Sequence, residues 1–234
     1  MKFKIEDSVF QKFSGLSVGV LVVRNINNFG ESSELHQLIR EQESRIRAHY
    51  SAETLSENPE VNIWRKAYAE FGGKPKENKS SVESLYRLVL NGNSLRHINK
   101  LVDVYNYISL KHFLPVGGED LDKIKGDVTL TFASSVEKPV VLLGDSESRP
   151  PHEGEVVYKD DDSTICRRWN WREADRTKLT EQTKNCILVI EGLSPMTKQK
   201  IEDTCLELQS LIKKFCGGKN IVSILNQEKT EIVI

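Results

Sequence analysis

No stretch of this 234-residue sequence approaches the roughly 18 consecutive apolar residues that a membrane-crossing helix needs. The first residues, MKFKIEDSVFQKF, carry charges throughout and lack the apolar core of a secretory signal. A cytoplasmic protein without a membrane partner is the expectation. Charge of either sign is not in excess: 33 Lys and Arg meet 34 Asp and Glu, a net charge of −1. That excludes a strongly basic nucleic-acid-coating protein. DNA is not expected as a partner, and RNA would have to be held by a local patch with a modest salt dependence. Lys74, Lys76, Lys79, Arg87, Arg96 and Lys100 supply one such patch within 27 residues.

There are only four cysteines, Cys166, Cys186, Cys205 and Cys216. None shows C-x-x-C spacing and no histidine stands at zinc-ligand spacing from any of them, so neither a metal site nor a disulfide framework is expected. Reduced, mostly buried thiols are the simple reading. Cys166 alone lies beside arginines that would lower its pKa, but no partner base accompanies it. Walker A, G-x-G-x-x-G, H-E-x-x-H and G-x-S-x-G patterns are all missing. ATP-dependent activation of a substrate is therefore not supported, and no cofactor is expected. Internal repeats, low-complexity segments and Pro/Gly/Ser linkers are missing too, which predicts a single domain over 1–234.

What is present is an ordinary globular composition, 38% hydrophobic and 29% charged. LSVGVLVV at 16–23 reads as a buried strand. An amphipathic helix is predicted over 32–49. Asn58-Pro59 opens a second, with Val61, Trp64, Tyr68 and Phe71 at helical spacing and Gly72-Gly73 as its stop. Ser80 and Glu83 form a capping-box pattern ahead of a third. A fourth runs from about 98 to 110. Short strands follow at 128–133, 139–143, 155–158, 163–167 and 186–190. The last helix opens at Ser194-Pro195 and carries Ile201, Cys205, Leu208, Ile212 and Phe215 on one face. One or two closing strands are predicted at 221–225 and 231–234. A helix-rich first half and a strand-rich second half give an α+β fold with a mostly antiparallel sheet and packed helices.

Two segments carry more than fold. NKLVDVYNYISLKHFLPVGGEDLDKIKG, 99–126, reads as an apolar helix running into a Pro-Gly-Gly turn and an acidic piece. CRRWNWRE, 166–173, packs three arginines and two tryptophans beside a glutamate, a composition suited to an anionic or aromatic ligand. Read as a strand, it alternates Arg168, Asn170 and Arg172 with Arg167, Trp169 and Trp171. Asp103, Asn106 and Tyr107 are polar residues in the apolar helix, with structural duty as the expectation for Asp103, and His112 stands near the following turn. Asp160-Asp161-Asp162 reads as a solvated loop tip.

In order and spacing these segments resemble the B3/B4 domain of the phenylalanyl-tRNA synthetase β subunit. Leu101-Val102-Asp103-Val104-Tyr105-Asn106-Tyr107 stands where that family reads V-V-D-V-T-N-Y. Leu114-Pro115-Val116-Gly117-Gly118-Glu119-Asp120 stands where it reads Q-P-x-H-A-F-D. The resemblance implies a free-standing editing domain, not a complete ligase, that binds the 3′ end of an aminoacyl-tRNA and hydrolyses the ester to a wrong amino acid. It places Glu173 on the family's glutamate for a misattached tyrosine hydroxyl. The family's histidine is replaced by Gly117, and its glycine-rich stretch by residues 167–172.

On this reading Gly117 and Gly118 supply backbone donors and Glu173 selects the side chain or orients water. Arg167, Arg168 and Arg172 meet terminal phosphates, and Trp169 or Trp171 stacks on a ring. Asn106 and His112 line the pocket. The alternative is a module that kept the pocket and lost catalysis, binding an amino acid, a small aromatic molecule or an RNA end.

Overall fold

The computed structural model describes residues 1–234. Its elements in chain order begin with β1 (Lys2–Ile5), α1 (Asp7–Lys12), β2 (Ser17–Arg24), α2 (Ser33–His49), α3 (Pro59–Glu70), α4 (Ser81–Leu90) and α5 (Lys100–His112). There follow β3 (Val116–Asp120), β4 (Val128–Phe132), β5 (Val140–Val141), β6 (Ser148–Arg149), β7 (Val156–Lys159), β8 (Thr164–Arg167) and β9 (Arg172–Glu173). The chain closes with β10 (Cys186–Gly192), α6 (Lys198–Phe215), β11 (Lys219–Leu225) and β12 (Glu231–Val233). This is the expected α+β fold.

β2 organises it. Its β-branched run SVGVLVVR is buried along all but its last residue, as a strand covered on both faces must be. It lies inside a four-stranded antiparallel sheet in the order β11-β2-β10-β3. Side chains alternate across a strand, so Leu21 and Val23 enter one core while Val18, Val20 and Val22 enter another. The first core lies under α2, α4, α5 and α6, with Leu35, Val89, Ile108 and Leu208 fully buried in it. The second faces a six-stranded sheet, β12-β1-β4-β7-β8-β9, and is filled by Trp64, Tyr68, Phe71 and Trp169. That sheet is antiparallel except for the β1–β4 pair.

The structure differs from expectation in local ways that matter. β1 and α1 were not foreseen. Residues 116–120 are a strand rather than a turn: β10 presses against Gly118, where a Cβ would overlap the Leu188 side chain and stand 2.7 Å from the Ile187 carbonyl oxygen. Residues 168–171 are not extended. Arg168 and Trp169 have φ of 45° and 66°, so the chain leaves β8, turns, and returns as β9, and the strand-like alternation is broken. Asp160 is no solvated tip. It is buried and accepts from the backbone N–H groups of Lys125, Asp162 and Ser163 and from the Arg176 guanidinium. Arg87 leaves the anticipated basic patch by pairing with buried Glu83, 2.7 Å away.

Candidate functional site

β3 is an edge strand, and beside it a cavity of about 330 Å³ opens between the layers. Leu85 and Leu88 of α4, Tyr105 and Asn106 of α5, Gly117 to Glu119, Ile165, Cys166, and the turn from Trp169 to Glu173 line it. Its walls are mostly apolar, and three carboxyl groups face it: Glu119, Glu173 and Glu191.

The ladder explains how one of them is held. Glu191 and Leu121 N–H donate to the Pro115 and Asn185 carbonyls. The antiparallel alternation therefore turns Gly117 N–H toward β10 and Gly118 N–H off the sheet edge. Gly118 N–H donates there to Glu173 Oε1 at 3.2 Å. A Cβ on Gly117 would sit 3.1 Å from the same oxygen. Burial pushes the Glu173 carboxyl up to about 7, against the pull of the Gly118 N–H. The modest exposure Glu173 retains goes with its place in the cavity wall.

Glu191, at the end of β10, accepts from Tyr158 Oη at 2.5 Å and from Asn170 Nδ2 at 2.7 Å, and burial raises it to about 7 as well. Glu119 is held well above the ordinary carboxylate range by burial and by the neighbouring Glu173. The cavity thus offers carboxyl groups that both donate and accept near neutral pH. Glu119 and Glu191 were not foreseen as site residues. The only trace of Glu191 in the sequence is a charge at the end of an otherwise apolar strand.

The residues expected at the site divide. Glu173, Gly117, Gly118, Asn106, Trp171 and Arg172 come together at the cavity. Trp169 reaches it only as core: it is fully buried, 4.8 Å from the Phe13 ring centroid and 5.2 Å from that of Trp64, and has no face free for stacking. Arg167 is buried in a bidentate pair with Glu155, at 2.7 and 3.0 Å, which removes it as a phosphate contact.

His112 is elsewhere, between Glu207 at 2.8 Å and Lys200 at 3.0 Å, and burial lowers its pKa. Cys166 is no activated thiol. Burial, then the Glu173, Glu119 and Glu191 charges, drive its pKa well up, the reverse of the shift anticipated from its arginine neighbours. Nor do both glycines offer free donors, since the strand register directs Gly117 N–H to β10 and Gly118 N–H already serves Glu173.

Trp171 and Arg172 also line a second, polar groove with Arg149, His152 and Arg168. The Arg168 guanidinium lies 4.6 Å and that of Arg172 5.4 Å from the Trp171 ring centroid. Arg172 is anchored by the Leu143 carbonyl and by Asp145 at 2.9 Å, and Arg149 by Glu147 at 3.0 Å. The groove therefore carries arginines already paired with carboxylates.

Residues 63–217 match the model of the B3/4 domain, well over half of the chain, and the protein belongs to that family. The phenylalanine–tRNA ligase β subunit of Fusobacterium nucleatum subsp. nucleatum is 29% identical over 114 residues, which is 49% of this chain and 14% of that protein. The chain thus spans only a small part of its curated relative. A solved N-terminal fragment of the phenylalanyl-tRNA synthetase β-subunit from Pyrococcus horikoshii superposes with a TM-score of 0.47 at 12% identity, covering 93% of this chain and 49% of the fragment.

Proposed function

We propose that this B3/4 chain takes the acylated 3′ end of a tRNA into the cavity and hydrolyses the ester of a misacylated tRNA in trans. The observation that carries the reading is Glu173: a carboxyl poised near neutrality in the wall of an amino-acid-sized, mostly apolar cavity. In its charged form it accepts from a hydroxyl on the amino acid or from the attacking water. As a base it takes a proton from that water as oxygen bonds to the ester carbon. The proton then passes to the ribose oxygen as the ester bond breaks. With Gly118 N–H held by Glu173, the Asn106 amide is the donor left for the carbonyl oxygen. With Gly117 where the family has a histidine, no side chain at that position shares the task.

The groove carrying Arg149, Arg168, Arg172 and Trp171 would receive the terminal nucleotides. Both cores share β2, and on that ground we take 1–234 as one domain; a tRNA partner would place it in the cytoplasm. The match to a tRNA ligase β subunit supports a tRNA partner.

A second reading, binding without catalysis, draws on the engagement of Gly118 N–H by Glu173. Deacylation of a mischarged pool that includes tyrosyl-tRNA on the phenylalanine acceptor separates the two. Hydrolysis by the wild type, with a loss of about 10²-fold in Glu173→Gln, is expected. Tight tRNA binding without turnover would establish the non-catalytic module. Neither binding nor turnover would end the tRNA reading.

A further inference from the structure

We propose that His36, His97 and Asp103 form a binding site for a divalent transition-metal ion, on the helical layer and apart from the carboxyl-lined cavity. The three are 67 residues apart at the extremes and show no ligand spacing. The fold gathers them from the first turn of α2, the segment before α5, and the first turn of α5, and their ligand atoms lie within 4.8 Å of one another. His36 Nε2 is 3.3 Å and His97 Nδ1 2.6 Å from the same oxygen of Asp103, Oδ2. The ring centroids are 5.3 Å apart. Two imidazole nitrogens and one carboxylate oxygen make a donor set suited to zinc, cobalt or another borderline ion rather than to calcium or magnesium.

Asp103 faces Nε2 of His36, and Glu31 lies 4.0 Å from Nδ1 of the same ring. A neutral imidazole carries one N–H, so one of its nitrogens must turn a lone pair toward a carboxylate. A metal between Nε2 and Asp103 removes the conflict: the lone pair goes to the ion and Nδ1–H to Glu31, the carboxylate–histidine–metal arrangement of bound sites. Side-chain exposures of 29% for His36 and 22% for His97 leave an entry path, while Asp103 at 3% is shielded. Of the cations nearby in sequence, Arg96 is exposed, and Lys100 lies on α5 close to Cys216. Neither makes an ion pair with Asp103, whose side-chain partners are the two imidazoles.

Such an ion would tie α2 to the start of the helix that carries Tyr105 and Asn106 to the cavity wall. The test is a titration of chelator-stripped protein with Co²⁺, read by visible absorption, followed by Zn²⁺ competition and by Mg²⁺ as a control. One equivalent of Co²⁺ with ligand-field bands, displaced by Zn²⁺ and untouched by Mg²⁺, is expected. The affinity should weaken at least about tenfold in His36→Ala and in His97→Ala. Melting curves without metal establish that each variant folds. If His97→Ala does not, His36→Gln decides, because it keeps an amide donor toward Asp103 while losing the imidazole ligand. No spectrum in the wild type, or the same titration in the histidine variants, overturns the site and leaves the three residues as a hydrogen-bonded cluster.

Discussion

A carboxyl group shut inside an apolar wall is costly in its charged form, and Glu191 and Glu173 show the two consequences. For Glu191 the consequence is stability. Its folded-state pKa, raised from 4.5 to about 7, means the folded protein holds a proton that the unfolded chain releases. The resulting stabilisation is complete below about 4.5 and is lost as pH rises through about 7. Melting temperature should therefore fall between pH 5 and pH 8 by the equivalent of up to ~3 kcal/mol, and Glu191→Gln should flatten that fall. For Glu173 the consequence is rate: deacylation should climb with pH through about 7 and level off, while Glu173→Gln is slow and flat across the range.

The neighbouring glycines separate fold from function. Gly118→Ala meets backbone and Leu188 and should destabilise by about 1–3 kcal/mol in chemical denaturation. Gly117→Ala meets only the Glu173 carboxylate and should keep its melting point while shifting the pH–rate profile. Glu173 was singled out through the resemblance, which places it on the family's glutamate. Glu119 and Glu191 were not, because a carboxylate in a strand says nothing of the cavity that several distant elements close around it.

At the scale of elements, the five longer helices were read well because their signals are local, whereas the six-residue α1 was missed. Asn58 accepts from Glu60 N–H at 2.9 Å and Ser80 from Glu83 N–H at 3.4 Å, as caps should. The capping box is only half made, since the Glu83 carboxylate turns to Arg65 and Arg87 instead of Ser80. The strand reading failed where conformation is imposed from outside. Nothing in Arg168-Trp169 announces a left-handed pair, because no glycine or asparagine stands there. Trp169 is driven into it by the Phe13, Trp64 and Phe71 rings it packs among. Arg167→Ala leaves the buried Glu155 with only Arg168, 3.5 Å away, and should cost up to about 3 kcal/mol, and Trp169→Ala about 3–5 kcal/mol by opening a cavity. Equilibrium unfolding of both should show it. A loss of tRNA binding in either variant then reports a damaged fold, whereas Trp171→Ala at the rim tests the ligand wall.

For the whole molecule, near-balanced charge and carboxylate-paired arginines set the reach of any RNA contact. With Arg149, Arg168 and Arg172 as the groove's arginines beside the buried Arg167, the slope of log K against log salt for a tRNA end should be about −2. A much steeper slope would place the contact on another face.

The two cores also sort the cysteines: Cys166 lies in the core between the sheets, and Cys186, Cys205 and Cys216 lie under the helices. All four are free and buried. They are native spies on breathing. A thiol reagent reaches each only when its own layer opens, so the order in which they are alkylated at rising denaturant reveals which half of the molecule lets go first.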